Sequence, residues 1–171
     1  MRKITSSQID EILSDHATWL RNENDDKRAD FSNMDLRGVN LSGKNLTKAH
    51  FHGSVLTGSD LSGAILIETD FTDAVLTKVN LKNANLSYAN LSSVDLTCAV
   101  LWDADLTRAV LTRANSSNAD FTRAVLTDAV LTGANLSNAN FTRANLTWAV
   151  LTWANLSHAV FNEANMVGAK F

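Results

Sequence analysis

The chain has 171 residues, a formal charge of −3, one cysteine, seven glycines and no proline, which bounds it to one compact domain. A single cysteine excludes an internal disulfide. The first twenty residues lack the apolar run of a secretory leader, and no segment approaches the ~18 apolar residues of a membrane span, so the expected setting is a reduced, cytoplasmic one.

The first element in chain order is a helix. Ser7 followed by Asp10 has the spacing of a capping box, and Ile9, Ile12, Leu13, His16, Ala17 and Leu20 recur at helical intervals. This predicts one amphipathic helix over 7–22, then a charged turn over 23–30. Residues 1–28 read as a cap on the remainder of the chain, because an uncovered solenoid end exposes apolar core and unpaired backbone.

From Phe31 onward a bulky residue falls at every fifth position without an insertion, giving 29 repeats to Phe171. This centre is Leu in 20 repeats, Phe in seven, and Met166 and Ser116 in one each. Two residues earlier stands Ala in 21 of the 29, one residue earlier Asp or Asn in 18 and Val in eight, and one residue later Ser or Thr in 21 of 28. The residue two after the centre is loose.

A five-residue period fits neither regular element. Five helical steps of ~100° put the next centre ~140° out of register, and in a straight strand an odd period turns alternate centres to opposite faces. A short extended segment does place the small residue and the centre on one side. The chain must then bend before the next pair. If each bend is near a right angle, four pentapeptides close a square of twenty residues. Sorted by twenty, Phe31, Phe51 and Phe71 share one column, and Phe121, Phe141 and Phe161 another.

Ala84-Asn85-Leu86-Ser87-Tyr88, Ala104-Asp105-Leu106-Thr107-Arg108 and Ala134-Asn135-Leu136-Ser137-Asn138 resemble the A(D/N)LXX signature of the pentapeptide-repeat family. The resemblance covers residues 31–171. It implies an all-β solenoid over 29–171, a right-handed quadrilateral β-helix of about seven coils. At the usual strand spacing this is a rod roughly 34 Å long.

The repeat explains much that would otherwise invite a functional reading. Ala at the small position reflects a cross-section too tight for two large residues per side, and the Asp/Asn and Ser/Thr positions read as outward hydrogen-bonding ladders. Nine Asn-x-Ser/Thr sequons arise automatically from the pattern. Ser116, in a column between Leu96 and Leu136, predicts a void or a buried water. Met34 and Lys44 at small positions predict a distorted first coil.

Chemistry finds little support, since a convex, filled rod offers no concave site where reactive groups converge. His50 and His52 are two apart, with Asp30 and Asp70 one coil away from His50, and form the single arrangement that could hold a metal; a solvated ladder is the simpler reading. Cys98 reads as a surface thiol. No cofactor and no catalytic residue is expected, and the chain is read as non-enzymatic.

Recognition is expected on outward departures from the consensus: Trp102, Arg123, Arg143, Trp148, Val150 and Trp153, with Val150 in one column with Val110 and Val130. Met166, Val167 and Phe171 in the last turn mark a candidate dimer end, and the resemblance implies pairing through C-terminal coils. The function expected is an interaction or scaffolding module for a protein partner.

The alternative that the resemblance implies is a DNA-mimicking binder of a type II topoisomerase such as DNA gyrase. Duplex DNA carries one charge per ~1.7 Å, hence about 20 over such a rod, whereas residues 31–171 hold 11 acidic and 10 basic residues. Direct nucleic-acid binding lacks a basic excess.

Overall fold

The computed structural model describes residues 2–22 and 27–171. Part of the charged turn expected over 23–30, positions 23–26, lies outside the described residues.

The repeat dictates the backbone. Each centre carbonyl accepts the N–H three residues on, as in Ala84 N–H to Leu81 O at 3.0 Å, so every pentapeptide closes a β-turn. Between turns only one residue per repeat is extended enough to pair. That residue, one before the centre, bridges in parallel to its counterpart twenty residues on, from Asp30 with His50 to Val150 with Lys170. Long strands are therefore absent among the described residues although the backbone bonding is that of a sheet.

In the interior each pentapeptide donates three bonds to its neighbours: Asp105 N–H to Ala84 O at 2.9 Å on one side, Leu106 N–H to Val125 O at 2.7 Å and Arg108 N–H to Thr127 O at 2.9 Å on the other. The expected twenty-residue stacking is present.

The loose position proves the most constrained. The second residue after every centre takes positive φ, between 55° and 71°, at all 28 places, 21 of them not glycine. Left-handed backbone disfavours β-branched residues most strongly, and none of the 28 is Val, Ile or Thr.

Inside the rod, centres and small residues form one continuous core from Phe31 to Leu151. The Phe columns stack as vertical neighbours, with ring centroids 4.9 Å apart for Phe31, Phe51 and Phe71, and 4.8 and 5.0 Å apart along Phe121, Phe141 and Phe161. The two columns occupy opposite walls in different coils, so within 31–170 no Phe faces another across the narrow core. Ser54, Ser59 and Thr69 at small positions satisfy their hydroxyls on backbone carbonyls, 2.7–2.9 Å away. Ser116 is fully buried and its Oγ has no partner among the described residues.

The amphipathic helix spans Ser6–Asn22 (α1). Its box is not Ser7–Asp10. Thr5 N–H donates to Gln8 Oε1 at 3.0 Å and Gln8 N–H to Thr5 Oγ1 at 3.3 Å; the longer glutamine reaches back where an aspartate is a methylene short. Ile4 and Ile9, at the staple positions, both pack on the core. Ile9, His16 and Trp19 form the buried face, with Ile12 and Leu13 partly buried against it, whereas Ala17 is exposed.

Ahead of the helix, strand β1 (Arg2–Lys3) pairs in parallel with β2 (Met34–Asp35) and adds a rung beneath the first coil. That coil is not distorted. It keeps the bridging register at all four sides, because Met34 packs on the core near β1 and Lys44 turns outward into solvent beside the helix.

Candidate functional site

Two kinds of surface stand out, the corners of the rod and its two ends. Corner side chains come from the positive-φ position, whose geometry aims them along the rod toward the following coil. Trp148 shows the consequence: a Cβ added at Gly168 would meet its ring at 2.2 Å, so the indole rests on glycine backbone twenty residues on. Trp153, at the next corner, meets no such neighbour among the described residues and is 89% exposed. Val150 lies half-buried on the flat strip between these two tryptophans, less exposed than an outward apolar strip requires.

Corner charges are ordered in columns. Arg123 Nε donates to Asp103 Oδ1 at 2.7 Å and its terminal nitrogen to Oδ2, while Arg143 Nε donates to Glu163 Oε2 at 2.8 Å. These bonds, more than the charges alone, hold the Asp103 and Glu163 carboxyls below their ordinary range. Arg123 and Arg143 are thus stacked neighbours drawn to carboxylates in opposite directions. Another corner holds Arg108 between Tyr88, 5.7 Å from its ring centroid, and Asp128 at 3.5 Å.

Trp102 and Arg123 meet in a cleft with Lys82 and Thr122. They sit on a different face from Trp148 and Val150, so the six residues expected to mediate recognition do not form one patch. Lys82 was not among them. Its signal was available, since it departs from the Ser/Thr consensus directly beneath Trp102.

At the N-terminal end, α1 packs Ile9 on the core. His16 is buried, its Nδ1 accepts the Ala29 N–H at 3.1 Å, and it stacks on Trp19 with centroids 5.4 Å apart. Nε2 meets no group at hydrogen-bonding geometry among the described residues. Burial first, then the charge of Arg28, push its pKa down against a weaker opposing effect of the Thr47 backbone.

The other end differs. Among residues 152–171, Leu156 and Phe161 are half-buried, Met166 is 38% exposed, and Val167 and Phe171 exceed 60%. The N–H groups of Leu156, Phe161 and Met166, which in earlier coils meet a carbonyl nineteen residues on, find no backbone acceptor among the described residues. Met166, Val167 and Phe171 are thus all exposed in the coil whose centre N–H groups lack a backbone acceptor among the described residues.

His50 pairs through its backbone with Asp30 and Asp70 as the register required, yet no group of three or more His, Cys, Asp or Glu among the described residues is arranged to hold a metal. Cys98 is an exposed free thiol. No helix of the described residues is long and apolar enough to cross a membrane.

The family model described as pentapeptide repeats matches the chain in eight copies, over residues 27–63, 54–91, 74–113, 104–143 and 144–171. Among solved structures, a trypsin-treated form of QnrB1, a plasmid-mediated fluoroquinolone resistance protein, is similar at 21% identity and a TM-score of 0.74, covering 82% of this chain and 71% of that one. The pentapeptide repeat protein alr5209 from Nostoc PCC 7120 is similar at 24% identity and a TM-score of 0.53, covering 67% and 82%. At these identities the likeness concerns the fold. No curated protein matches the sequence. With the repeat legible in the sequence, stacked in the structure and matched from residue 27 to residue 171, the chain belongs to the pentapeptide-repeat family.

Proposed function

We propose that this chain is a non-enzymatic interaction module: a right-handed quadrilateral rod of about seven coils over residues 29–171, capped by residues 1–28. It pairs with a second copy through residues 146–171 and presents its sides to a protein partner. The supporting observation is the contrast between a covered first coil and a last coil whose centres and backbone edge are uncovered. Exposed apolar surface combined with unpaired strand edge favours association, and a twofold contact between like ends closes the assembly. Trp153, standing at the rim, would lap onto the second copy much as Trp148 rests on Gly168.

Light scattering tests this. At tens of micromolar the wild type is expected at about twice its 18.6 kDa mass, falling toward one on dilution, and Met166→Asp or Trp153→Asp should be monomeric with an unchanged circular dichroism spectrum. A monomeric wild type contradicts the pairing.

The second reading, binding of a type II topoisomerase such as DNA gyrase by resemblance to duplex DNA, draws on the shared fold with QnrB1. Charge weighs against it, because the 11 acidic residues of 31–171 are met by 10 basic ones and the C-terminal arginines interleave with the carboxylates. Inhibition of gyrase supercoiling, or its protection from a fluoroquinolone, at micromolar protein would favour it; no effect on either favours the module.

A further inference from the structure

A cleft opens on one side of the rod between Lys82, Trp102, Thr122 and Arg123. Only seven of the 28 residues that come directly after a centre depart from Ser or Thr, and the one pair of these in successive coils of the same column is Lys82 with Trp102. Lys82 Nζ lies 5.9 Å from the centroid of the Trp102 ring. The column then falls to Thr122, whose small side chain leaves a cleft of about 290 Å³ beside the indole, closed at the corner by Arg123. The residue before the centre in that repeat is Val100, so no Asp or Asn anchors residue 102 to its own turn.

Two features of this cleft are incompletely satisfied. The Trp102 ring is 43% exposed in a repeat that otherwise presents hydroxyls there. Lys82 forms no ion pair among the described residues; the nearby carboxylate of Asp103 is already taken by two nitrogens of Arg123. That guanidinium has five N–H groups, which leaves donors for a further acceptor. Asp120, whose carboxylate takes the Thr122 N–H and hydroxyl, balances the remaining charge of the surroundings, and Lys82 is left as a cation without an ion pair among the described residues beside an open aromatic face.

A neutral apolar ligand would cover the ring and leave the ammonium, and an inorganic anion would do the reverse. A flat ring bearing a negative group engages both, stacking on the indole while its charge meets Lys82 and the free edge of Arg123. We propose that the cleft of Lys82, Trp102, Thr122 and Arg123 binds a planar aromatic ring that carries a carboxylate or phosphate. Such a group can come from a free small molecule or from an aromatic side chain beside an acidic one in a polypeptide. The site is lateral, so it operates whether or not the chain pairs through its last coil.

Indole Nε1–H resonances of the full chain provide the readout, with Trp102 assigned by its loss in Trp102→Phe. Titrated with phenyl phosphate, the Trp102 resonance should shift saturably with a dissociation constant of about 1 mM or below, whereas phenol should leave it in place. Lys82→Ala, at an exposed position, should weaken binding about fivefold or more, and added salt should weaken the wild type toward that level. A short phosphotyrosine peptide separates the sources: tighter binding than phenyl phosphate points to a polypeptide, equal binding to a small molecule. No saturable shift, equal shifts with phenol and phenyl phosphate, or full affinity in Lys82→Ala overturns the proposal.

Discussion

Coils 31–50 and 152–171 share the five-residue spacing of bulky centres, yet Leu36, Leu41 and Leu46 are wholly buried whereas Leu156 and Phe161 are half-buried and Met166 and Phe171 exposed. The difference comes from outside the repeat. Helix α1 lays Ile9, His16 and Trp19 toward the first coil and β1 adds a rung beneath it; among the described residues nothing lies over the last. A pentapeptide supplies walls for its neighbours but cannot finish itself, so the ends of such a rod are where sequence unlike the repeat, or another molecule, must act.

Truncation of stacked phenylalanines probes this contrast with the largest effect. Phe51→Ala removes a ring packed between Phe31 and Phe71 and should cost about 3–5 kcal/mol in a chemical denaturation experiment. Phe161→Ala removes one stacked on a single side and should cost less than half of that at low protein concentration. Equal losses at both sites under dilute conditions would remove the distinction between a closed and an open coil.

The middle of the rod gives a reference free of end effects. Ser116→Leu fills a Leu column and deletes an unpartnered buried hydroxyl, so unfolding should become harder by about 2 kcal/mol. A loss of stability would show that the surrounding coils have collapsed onto the serine.

At the corners, Asn118 has φ of 57°. Asn118→Val should destabilise by about 1–2 kcal/mol, and Asn118→Gly should lie within about 0.5 kcal/mol of wild type. Equal effects of the two substitutions would mean that backbone conformation does not govern this position.

The smallest effect belongs to the cap. His16 is held neutral, with its pKa below the ordinary 6.5, so the unfolded chain binds the proton more readily. The stability from neutral His16 is complete above pH 6.5 and declines as pH falls from there toward the lowered value. Between pH 7 and 5.5 the melting temperature should fall further for the wild type than for His16→Phe; parallel curves would show that His16 does not respond to pH in the cap.

Much of this architecture is legible from spacing alone. The Phe columns emerge from arithmetic by twenties, and the burial of Ser116 from its neighbours in one column. Other features depended on local geometry. The positive-φ corners looked unconstrained because many side chains occur there, although all seven glycines and seven Asn or Asp sit at them. Two candidate boxes, Thr5–Gln8 and Ser7–Asp10, overlap in sequence and only side-chain reach separates them. Strand β1 consists of two charged residues with no alternation to read, and Trp19 is buried by a contact with His16 that helical periodicity did not require. Among the candidate recognition residues, outward placement was expected for the three tryptophans and for Val150 alike; the tryptophans are exposed and Val150 is half-buried, and the partnership of Trp102 with Lys82 needed the step down to Thr122.

Backbone amide exchange tests the contrast between the ends most directly. The amides of Leu36, Leu41 and Leu46, bonded to the next coil, should exchange slowly at every concentration. Those of Leu156, Phe161 and Met166 should be slow at tens of micromolar and fast after dilution, or in Trp153→Asp. Fast exchange of these three amides at all concentrations would contradict pairing through the last coil, as would slow exchange unaffected by dilution.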